Sequence, residues 1–153
     1  DVDETALNSW VEMVANDFGY VPDGPCVALP KGPCGVYEWE LSARAEGNPG
    51  AVRMVKAAIA KGVAVFFLTG RKEFERTATD KNLKSVGFPE FTALILRKDG
   101  DTRPARVYKP EERAKIASQG YTIIANIGDQ PSDLEGGYAE KTFLIPNPYY
   151  RVR

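Results

Sequence analysis

A chain of 153 residues fits one globular domain, and an apolar fraction of 43% with 27% charged residues is ordinary for a soluble protein. The net charge of −1 argues against a nucleic-acid polymer or an anionic membrane as partner, and no apolar run approaches the roughly 20 residues of a membrane span. Histidine is absent, which excludes Ser-His-Asp triads, cysteine–histidine pairs and histidine-ligated zinc.

The N-terminal third of the chain is predicted to be a small cap insertion spanning about residues 8–47. Residues 6–18 have helical composition, whereas residues 22–35 are rich in Pro and Gly. We expect this insertion to lie over the ligand end of a single domain, residues 1–153. The insertion contains four aromatic residues: Trp10, Tyr20, Tyr37 and Trp39. Their side chains are candidates to stack on a nucleotide base or an aryl group, and ordinary packing explains them equally well.

The two cysteines, Cys26 and Cys34, flank a short segment that contains Pro and Gly. A tight loop of this kind permits a disulfide, which would contribute about 2–3 kcal/mol by the chain-entropy estimate. The alternative is two free thiols. A bridge would imply an oxidising compartment, which means a secreted, periplasmic or cell-surface protein.

Helical and strand patterns alternate from residue 48 onward. Asn48 is a good N-cap for a helix that Pro49 begins and Gly62 ends, and residues 63–68 are a continuous apolar run typical of a buried parallel strand. The remaining predicted elements are helices over residues 72–86 and 111–119, the second opened by Pro110, and strands over residues 93–96, 121–127 and 142–145. The alternation predicts an α/β fold with a doubly wound, Rossmann-like parallel sheet flanked by helices.

Polar side chains follow the predicted strands, at the end of the sheet where ligands of α/β folds bind. They are Asp1 and Asp3 at the chain start, Thr69, Gly70 and Arg71 after the first strand, Lys109 before the third helix, and Asp129 and Asp133 after residues 121–127. Clustered carboxylates repel one another and need a hard cation, and all-oxygen ligation favours Mg²⁺. A phosphate monoester is dianionic and needs that metal and Lys109 before a carboxylate can attack it.

Four segments in order resemble the motifs of the haloacid dehalogenase (HAD) superfamily phosphatases: residues 1–5, 67–71, 108–110 and 127–133. Further segments are similar to the acid phosphatases of that superfamily, class B or subfamily IIIB, which include secreted enzymes and plant vegetative storage proteins. These are the Asp-Glu-Thr-Ala-Leu-Asn stretch, the Phe-Phe-Leu-Thr-Gly-Arg strand end, residues 93–97, Gly120–Tyr121 and residues 143–149. The resemblance covers nearly the whole chain.

The resemblance implies a magnesium-dependent acid phosphatase that hydrolyses small phosphate monoesters, with nucleoside monophosphates among the candidates. It implies that Asp1 is the nucleophile and a metal ligand, and that Asp3 is the general acid and then the base, within the same metal centre. Thr69 and Lys109 would hold the phosphoryl oxygens, with Gly70 and Arg71 beside the substrate. Arg71 either meets the phosphate or leaving group, or pairs with a carboxylate. Asp129 would bind the metal directly, and Asp133 would bind it through water or orient Lys109.

The start of the sequence departs from the resemblance. Members of this superfamily place the nucleophile after a hydrophobic strand in the middle of the sheet, and no residue precedes Asp1 here. We therefore expect the chain to be a fragment or a processed form that lacks this core strand. The resemblance leaves a homo-oligomer open.

Two other functions fit parts of the pattern. A response-regulator receiver domain also uses carboxylates, Thr and Lys with magnesium, but its phosphorylated Asp should end a mid-chain strand, and none follows residues 63–68. A storage or binding protein that kept the fold and lost turnover is the second. If the chain is an enzyme, we expect an acidic pH optimum because Asp3 must be protonated when the leaving group departs.

Overall fold

The structure is a computed structural model and describes residues 1–152. Its α-helices are α1 (Trp10–Ala15), α2 (Val36–Leu41), α3 (Pro49–Ala60), α4 (Arg76–Ser85), α5 (Ala105–Ser118) and α6 (Pro131–Leu134), with a 3₁₀ turn over Glu73–Glu75. Its strands are β1 (Leu7–Asn8), β2 (Glu46–Gly47), β3 (Phe66–Lys72), β4 (Ala93–Arg97), β5 (Asn126–Gly128) and β6 (Thr142–Leu144).

The helix α3 begins and ends where local signals predict. The Asn48 side chain accepts a hydrogen bond from the Gly50 N–H at 3.0 Å, Pro49 takes the first helical position, and Gly62 follows the helix with φ of 76°. That φ lies in the left-handed region, which Gly enters without a Cβ clash. The predicted N-cap and helix end are therefore confirmed.

The larger strands pair in parallel, as the alternation of helices and strands predicts. In one sheet Phe66, Phe67 and Leu68 of β3 lie opposite residues 93–95 of β4, and in another β5 pairs with β6. The register shifts between Leu68 and Lys72, so the segment that carries Thr69 leaves regular pairing at the carboxyl end of β3. This irregularity turns its polar groups toward the candidate site.

The strands of residues 1–152 do not all belong to one sheet, and the doubly wound arrangement stays a prediction. Residues 1–152 contain three separate two-stranded sheets, β1–β2, β3–β4 and β5–β6, the first of them antiparallel. An apolar groove of about 480 Å³ runs between residues 63–68 and residues 121–127. Without a neighbour across this groove, the predicted strand 121–127 reduces to β5 and an isolated bridge at Ile123. Residues 63–65 lie outside β3, although the Val65 carbonyl accepts the Thr92 N–H at 2.8 Å.

Helix α5 begins six residues earlier than predicted, so Lys109 lies within it and does not precede it. Pro110 does not open the helix but sits inside it, where its missing N–H leaves the helical partner carbonyl without a donor. Pro104 starts the helix instead, and its carbonyl accepts the Tyr108 N–H at 3.1 Å. Tyr108 and Lys109 are 2% and 4% exposed, so tertiary burial offsets the lost hydrogen bond.

The N-terminal segment contains short helices and a covalent bridge. The helix predicted over residues 6–18 is limited to α1, because residues 7–8 pair with β2 instead. Cys26 and Cys34 form a disulfide, and the Asn16 side chain holds the Cys34 backbone through both its amide nitrogen and its oxygen, at 2.7 and 2.8 Å. The cap function of this segment stays a prediction.

One hydrophobic core joins this N-terminal segment to the β3–β4 sheet. Its fully buried members include Val2, Leu7, Leu83, Phe67 and Trp39. Because Val2 belongs to this core, the residues on either side of it, Asp1 and Asp3, are fixed in position. Within residues 1–152, none of the helices has the length and apolar character needed to cross a membrane.

Candidate active site

A tight turn at the chain start presents the first two carboxylates. The Val2 carbonyl accepts N–H groups from Thr5, Ala6 and Leu7 at 2.8–3.3 Å, which folds residues 2–7 into one compact turn. The Asp1 nitrogen donates to the Ile127 carbonyl at 3.0 Å, so Asp1 lies beside β5. Val2 is completely buried between the two carboxylates, and they therefore face different parts of the site.

Lys109 links the chain start to the segment after β5. Its Nζ donates to Asp1 Oδ1 and to Asp133 Oδ1, both at 2.6 Å. The three side chains are 5–8% exposed, so water screens these ion pairs little. Asp133 is fixed in turn, because its Oδ2 accepts the Gln130 N–H at 2.9 Å at the start of α6.

Asp129 is held on three sides at the end of β5. Its Oδ2 accepts from the side-chain amides of Gln130 and Asn147 at 2.6 and 2.7 Å. Its Oδ1 lies 3.1 Å from the Thr5 hydroxyl, which also lies 3.0 Å from Asp1 Oδ2. One hydroxyl proton serves only one carboxylate at a time, so Asp1 and Asp129 share Thr5.

Three carboxylates converge closely enough to hold a metal ion. One oxygen from each of Asp1, Asp129 and Asp133 lies within 4.8 Å of the others, and Lys109 is the nearest positive charge. The donors are all oxygen and come from three separate segments of the chain. This set fits a hard divalent cation such as Mg²⁺, which binds few carboxylates and keeps several waters.

Asp3 lies outside that group of three carboxylates, and its place in the metal centre stays a prediction. Its Oδ1 accepts from Arg71 Nη2 and Nε at 2.6 and 3.0 Å, and its Oδ2 lies 3.3 Å from the Thr69 hydroxyl. Burial pushes the pKa of the Asp3 carboxyl upward, but the charge and hydrogen bonds of Arg71 outweigh it, and the net pKa lies below its ordinary value. Arg71 therefore holds this carboxylate through two hydrogen bonds.

The Arg71 guanidinium is occupied by protein groups. It is 3% exposed, donates to the Thr79 hydroxyl at 3.2 Å as well as to Asp3, and lies 3.5 Å from a Glu40 carboxylate oxygen on α2. Of the two roles that the sequence left open for Arg71, the structure shows pairing with a carboxylate. Burial raises the pKa of Glu40 well above its usual range, and the neighbouring Glu75 adds to this effect.

Thr69 and Gly70 lie where β3 leaves regular pairing. The Thr69 hydroxyl is fully buried and accepts the Arg71 backbone N–H at 3.1 Å, while Gly70 is exposed. A side chain at Gly70 would meet Arg97 Nη2 at 3.6 Å, an ordinary contact, so the site does not demand Gly there on steric grounds. The structure thus forms two groups of site residues, Asp3 with Thr69 and Arg71, and Asp1 with Lys109, Asp129 and Asp133.

The four aromatic side chains of the N-terminal segment divide into two pairs. Trp10 packs against Phe18 and Tyr149, and Tyr37 packs against Phe74, with ring centroids 5.6–6.0 Å apart. Trp39 and Tyr20 instead line a cavity of about 350 Å³ that Asp3 also lines. Only the second pair lies beside the candidate site.

Three polar side chains of the site were not among the candidate residues: Thr5, Gln130 and Asn147. Thr5 follows Asp1 by four residues, the spacing of one helical turn, and this spacing was a usable signal. Asn147 lies between two prolines near the end of the sequence, and nothing local indicates that it reaches Asp129.

Comparisons with known proteins show the family to which the chain belongs. The family model for the HAD superfamily, subfamily IIIB (acid phosphatase), matches residues 1–153. The chain is 35% identical to Acid phosphatase 1 of Solanum lycopersicum over 117 residues, covering 75% of the chain and 46% of that protein. It is 36% identical to the stem 28 kDa glycoprotein of Glycine max over 120 residues, covering 76% and 47%.

Other relatives match the chain over its whole length. Vegetative storage protein 1 of Arabidopsis thaliana is 29% identical over 155 residues, covering 99% of the chain and 54% of that protein. The solved structure of the class C acid phosphatase from Bacillus anthracis superposes with a TM-score of 0.73 at 27% identity, covering 99% of the chain and 66% of that structure. The chain spans about half the length of the curated relatives it matches. It belongs to the HAD superfamily, subfamily IIIB, the acid phosphatase family.

Proposed function

We propose that this chain carries the catalytic site of a magnesium-dependent acid phosphatase that hydrolyses small phosphate monoesters, nucleoside monophosphates included. The observation that supports it best is the Lys109 ammonium, buried between Asp1 and Asp133, with Asp129 completing a group of three carboxylates. A lysine between buried carboxylates neutralises part of their charge, and a dianionic phosphate needs this before it can approach.

In the proposed reaction an Asp1 carboxylate oxygen attacks phosphorus and forms an aspartyl-phosphate, and the bond to the ester oxygen breaks. Asp3 donates its proton to the departing alcohol oxygen. A water then attacks phosphorus, Asp3 takes its proton, the bond to Asp1 breaks, and inorganic phosphate leaves with Asp1 restored. Lys109 and the Thr69 hydroxyl would hold the phosphoryl oxygens that carry charge.

A divalent cation held by Asp1, Asp129 and Asp133 would supply positive charge to the phosphoryl group. The hydrogen bonds of Asp129 to Gln130 and Asn147 would keep that carboxylate in a ligating orientation without a metal. Arg71 would keep Asp3 in place, and it lowers the pKa of Asp3, so the protonated acid form of Asp3 is most abundant at low pH. The proposed enzyme therefore works best in acid.

The proposed setting is extracellular or periplasmic. The Cys26–Cys34 disulfide is compatible with secretion, and three of the relatives are stem glycoproteins of Glycine max.

The test is hydrolysis of p-nitrophenyl phosphate at about pH 5.5, with Mg²⁺ and with EDTA. We expect turnover that Mg²⁺ supports and EDTA removes, and kcat/KM should fall as the pH rises through the acidic range. In the Asp1→Asn variant turnover should be lost while circular dichroism stays unchanged. Retained activity in Asp1→Asn would refute the nucleophile assignment, and a rate that rises steadily from pH 5 to pH 8 would refute the role of Asp3.

A second candidate is a storage or binding protein of the same fold. The relatives named vegetative storage proteins favour it, since one of them matches 99% of the chain. This candidate predicts no turnover with or without Mg²⁺, together with an intact fold.

A further inference from the structure

We propose that the cavity beside Asp3 receives the leaving group of the substrate, and that Glu12 on its wall selects phosphate esters of amino alcohols. This inference rests on the proposed function, because it assigns the alcohol half of the substrate for the same site.

The position of the cavity follows from the chemistry. Asp1 attacks phosphorus from one side, so the ester oxygen departs on the opposite side, where Asp3 must reach it. Asp3 lines a cavity of about 350 Å³ that is otherwise formed by the N-terminal segment and the C-terminal residues 150–152. This volume lies at the lower end of the range for small-molecule sites. The cavity therefore suits a small alcohol more than a large one.

The charged groups of the cavity favour a positive leaving group. Four carboxyl side chains line it: Asp3, Glu4, Glu12 and Glu40. Among its described lining residues, Arg151 is the one that carries a positive charge. Arg71 binds Asp3 and lies near Glu40. Glu4 and Glu12 have no ion-pair partner among residues 1–152.

Glu12 is the stronger of these two signals. It is 1% exposed, and its polar contact within the described residues is the Asn16 amide, which donates to Oε1 at 2.5 Å. Fully buried glutamates without a cationic partner are rare, because desolvation of the carboxylate is costly. Burial raises the pKa of Glu12, as expected for such a group. A substrate ammonium would supply the missing partner.

Trp39 lines the same cavity. It is 3% exposed, and its indole N–H has no hydrogen-bond acceptor among the described residues. This N–H is closed to solvent, so the preference for an ammonium rests on Glu12 and the charges of the cavity wall.

The experiment compares two esters of the same size, 2-aminoethyl phosphate and 2-hydroxyethyl phosphate, which differ in an ammonium and a hydroxyl. A buried hydrogen bond between charged groups predicts that kcat/KM for the amino ester is higher by about tenfold or more. In Glu12→Gln, which keeps the acceptor for Asn16, the preference should disappear. The exposed Glu46→Gln serves as the matched control and should keep the preference.

Equal kcat/KM values for the two esters in the unsubstituted protein would overturn the inference, whether or not Glu12→Gln folds. A preference that survives in Glu12→Gln would overturn the assignment of Glu12. If neither ester nor p-nitrophenyl phosphate is hydrolysed, the proposed function fails. Calorimetric binding of the two esters then decides this inference separately, with tighter binding of the amino ester expected and equal affinities contradicting it.

Discussion

Replacing Glu4 with Gln is expected to remove a pH-dependent loss of stability that the native protein suffers between about pH 4.5 and pH 7. Glu4 is 7% exposed, and its carboxylate oxygens receive only long contacts from the Ser9 N–H, at 3.3 and 3.5 Å. Burial raises the pKa of Glu4 from 4.5 to about 7, and the charge of Asp3 adds to this effect.

The sign follows from proton binding. Between about pH 4.5 and pH 7 the folded chain holds the Glu4 proton and the unfolded chain does not, so raising the pH favours unfolding. The stability is fully present below the unfolded pKa and is lost as the pH rises through the folded pKa. A change from 4.5 to about 7, at about 1.4 kcal/mol per pH unit, gives an upper figure of about 3 kcal/mol. For a domain of this length that corresponds to about 6–12 °C in Tm.

The assay is urea denaturation of the native protein and Glu4→Gln at pH 4.5 and pH 8 in EDTA, since a bound cation would change the field around Asp3. We expect similar free energies of unfolding at pH 4.5 and a more stable variant at pH 8. The exposed Glu46→Gln is the control and should follow the native protein. Parallel loss of stability in the native protein and Glu4→Gln would refute the reasoning.

Three other substitutions probe the site and the cap. Lys109→Met leaves two buried carboxylates without an ion-pair partner. It should lower the free energy of unfolding by about 3–5 kcal/mol in EDTA, with partial recovery in Mg²⁺. Denaturation curves that show no loss of stability would contradict this ion pairing. Gly128→Ala places a Cβ 2.5 Å from Asp133 Cβ, so it should lower the free energy of unfolding by about 1–3 kcal/mol. It should also weaken Mg²⁺ binding measured by calorimetry, and an unchanged Mg²⁺ affinity would count against Asp133 as a ligand. Cys34→Ser opens the disulfide loop and should lower stability by about 2–3 kcal/mol under oxidising conditions, whereas native stability would show that the bridge contributes nothing.

The elements with strong local signals were predictable from the sequence. Asn48 and Pro49 specify the start of α3 through a side-chain cap and a fixed φ, and these depend only on neighbouring residues. The alternation of helices and apolar strands predicted parallel pairing, which β3–β4 and β5–β6 show. The candidate carboxylates were identified because strand ends bring distant segments together in α/β folds.

The sequence did not predict features that depend on contacts between distant residues. Pro110 predicts a helix start from its local chemistry, yet burial of the preceding Tyr108 and Lys109 keeps it inside α5. Within residues 1–152 the strands form separate pairs, and a groove separates β3 from β5, an arrangement that no local pattern indicates.

By itself, the sequence determined the chemical types of the site residues, their order and the strand ends that carry them, because these follow from residue identity and local patterns. Only the tertiary structure decided which charged residues form ion pairs. Arg71 pairs with Asp3 across 68 residues, and Lys109 meets Asp1 across 108. Such pairs form when packing of the whole core brings two buried charges together, since an unpaired buried charge is costly. The distance between two residues along the chain does not indicate which of them will form such a pair.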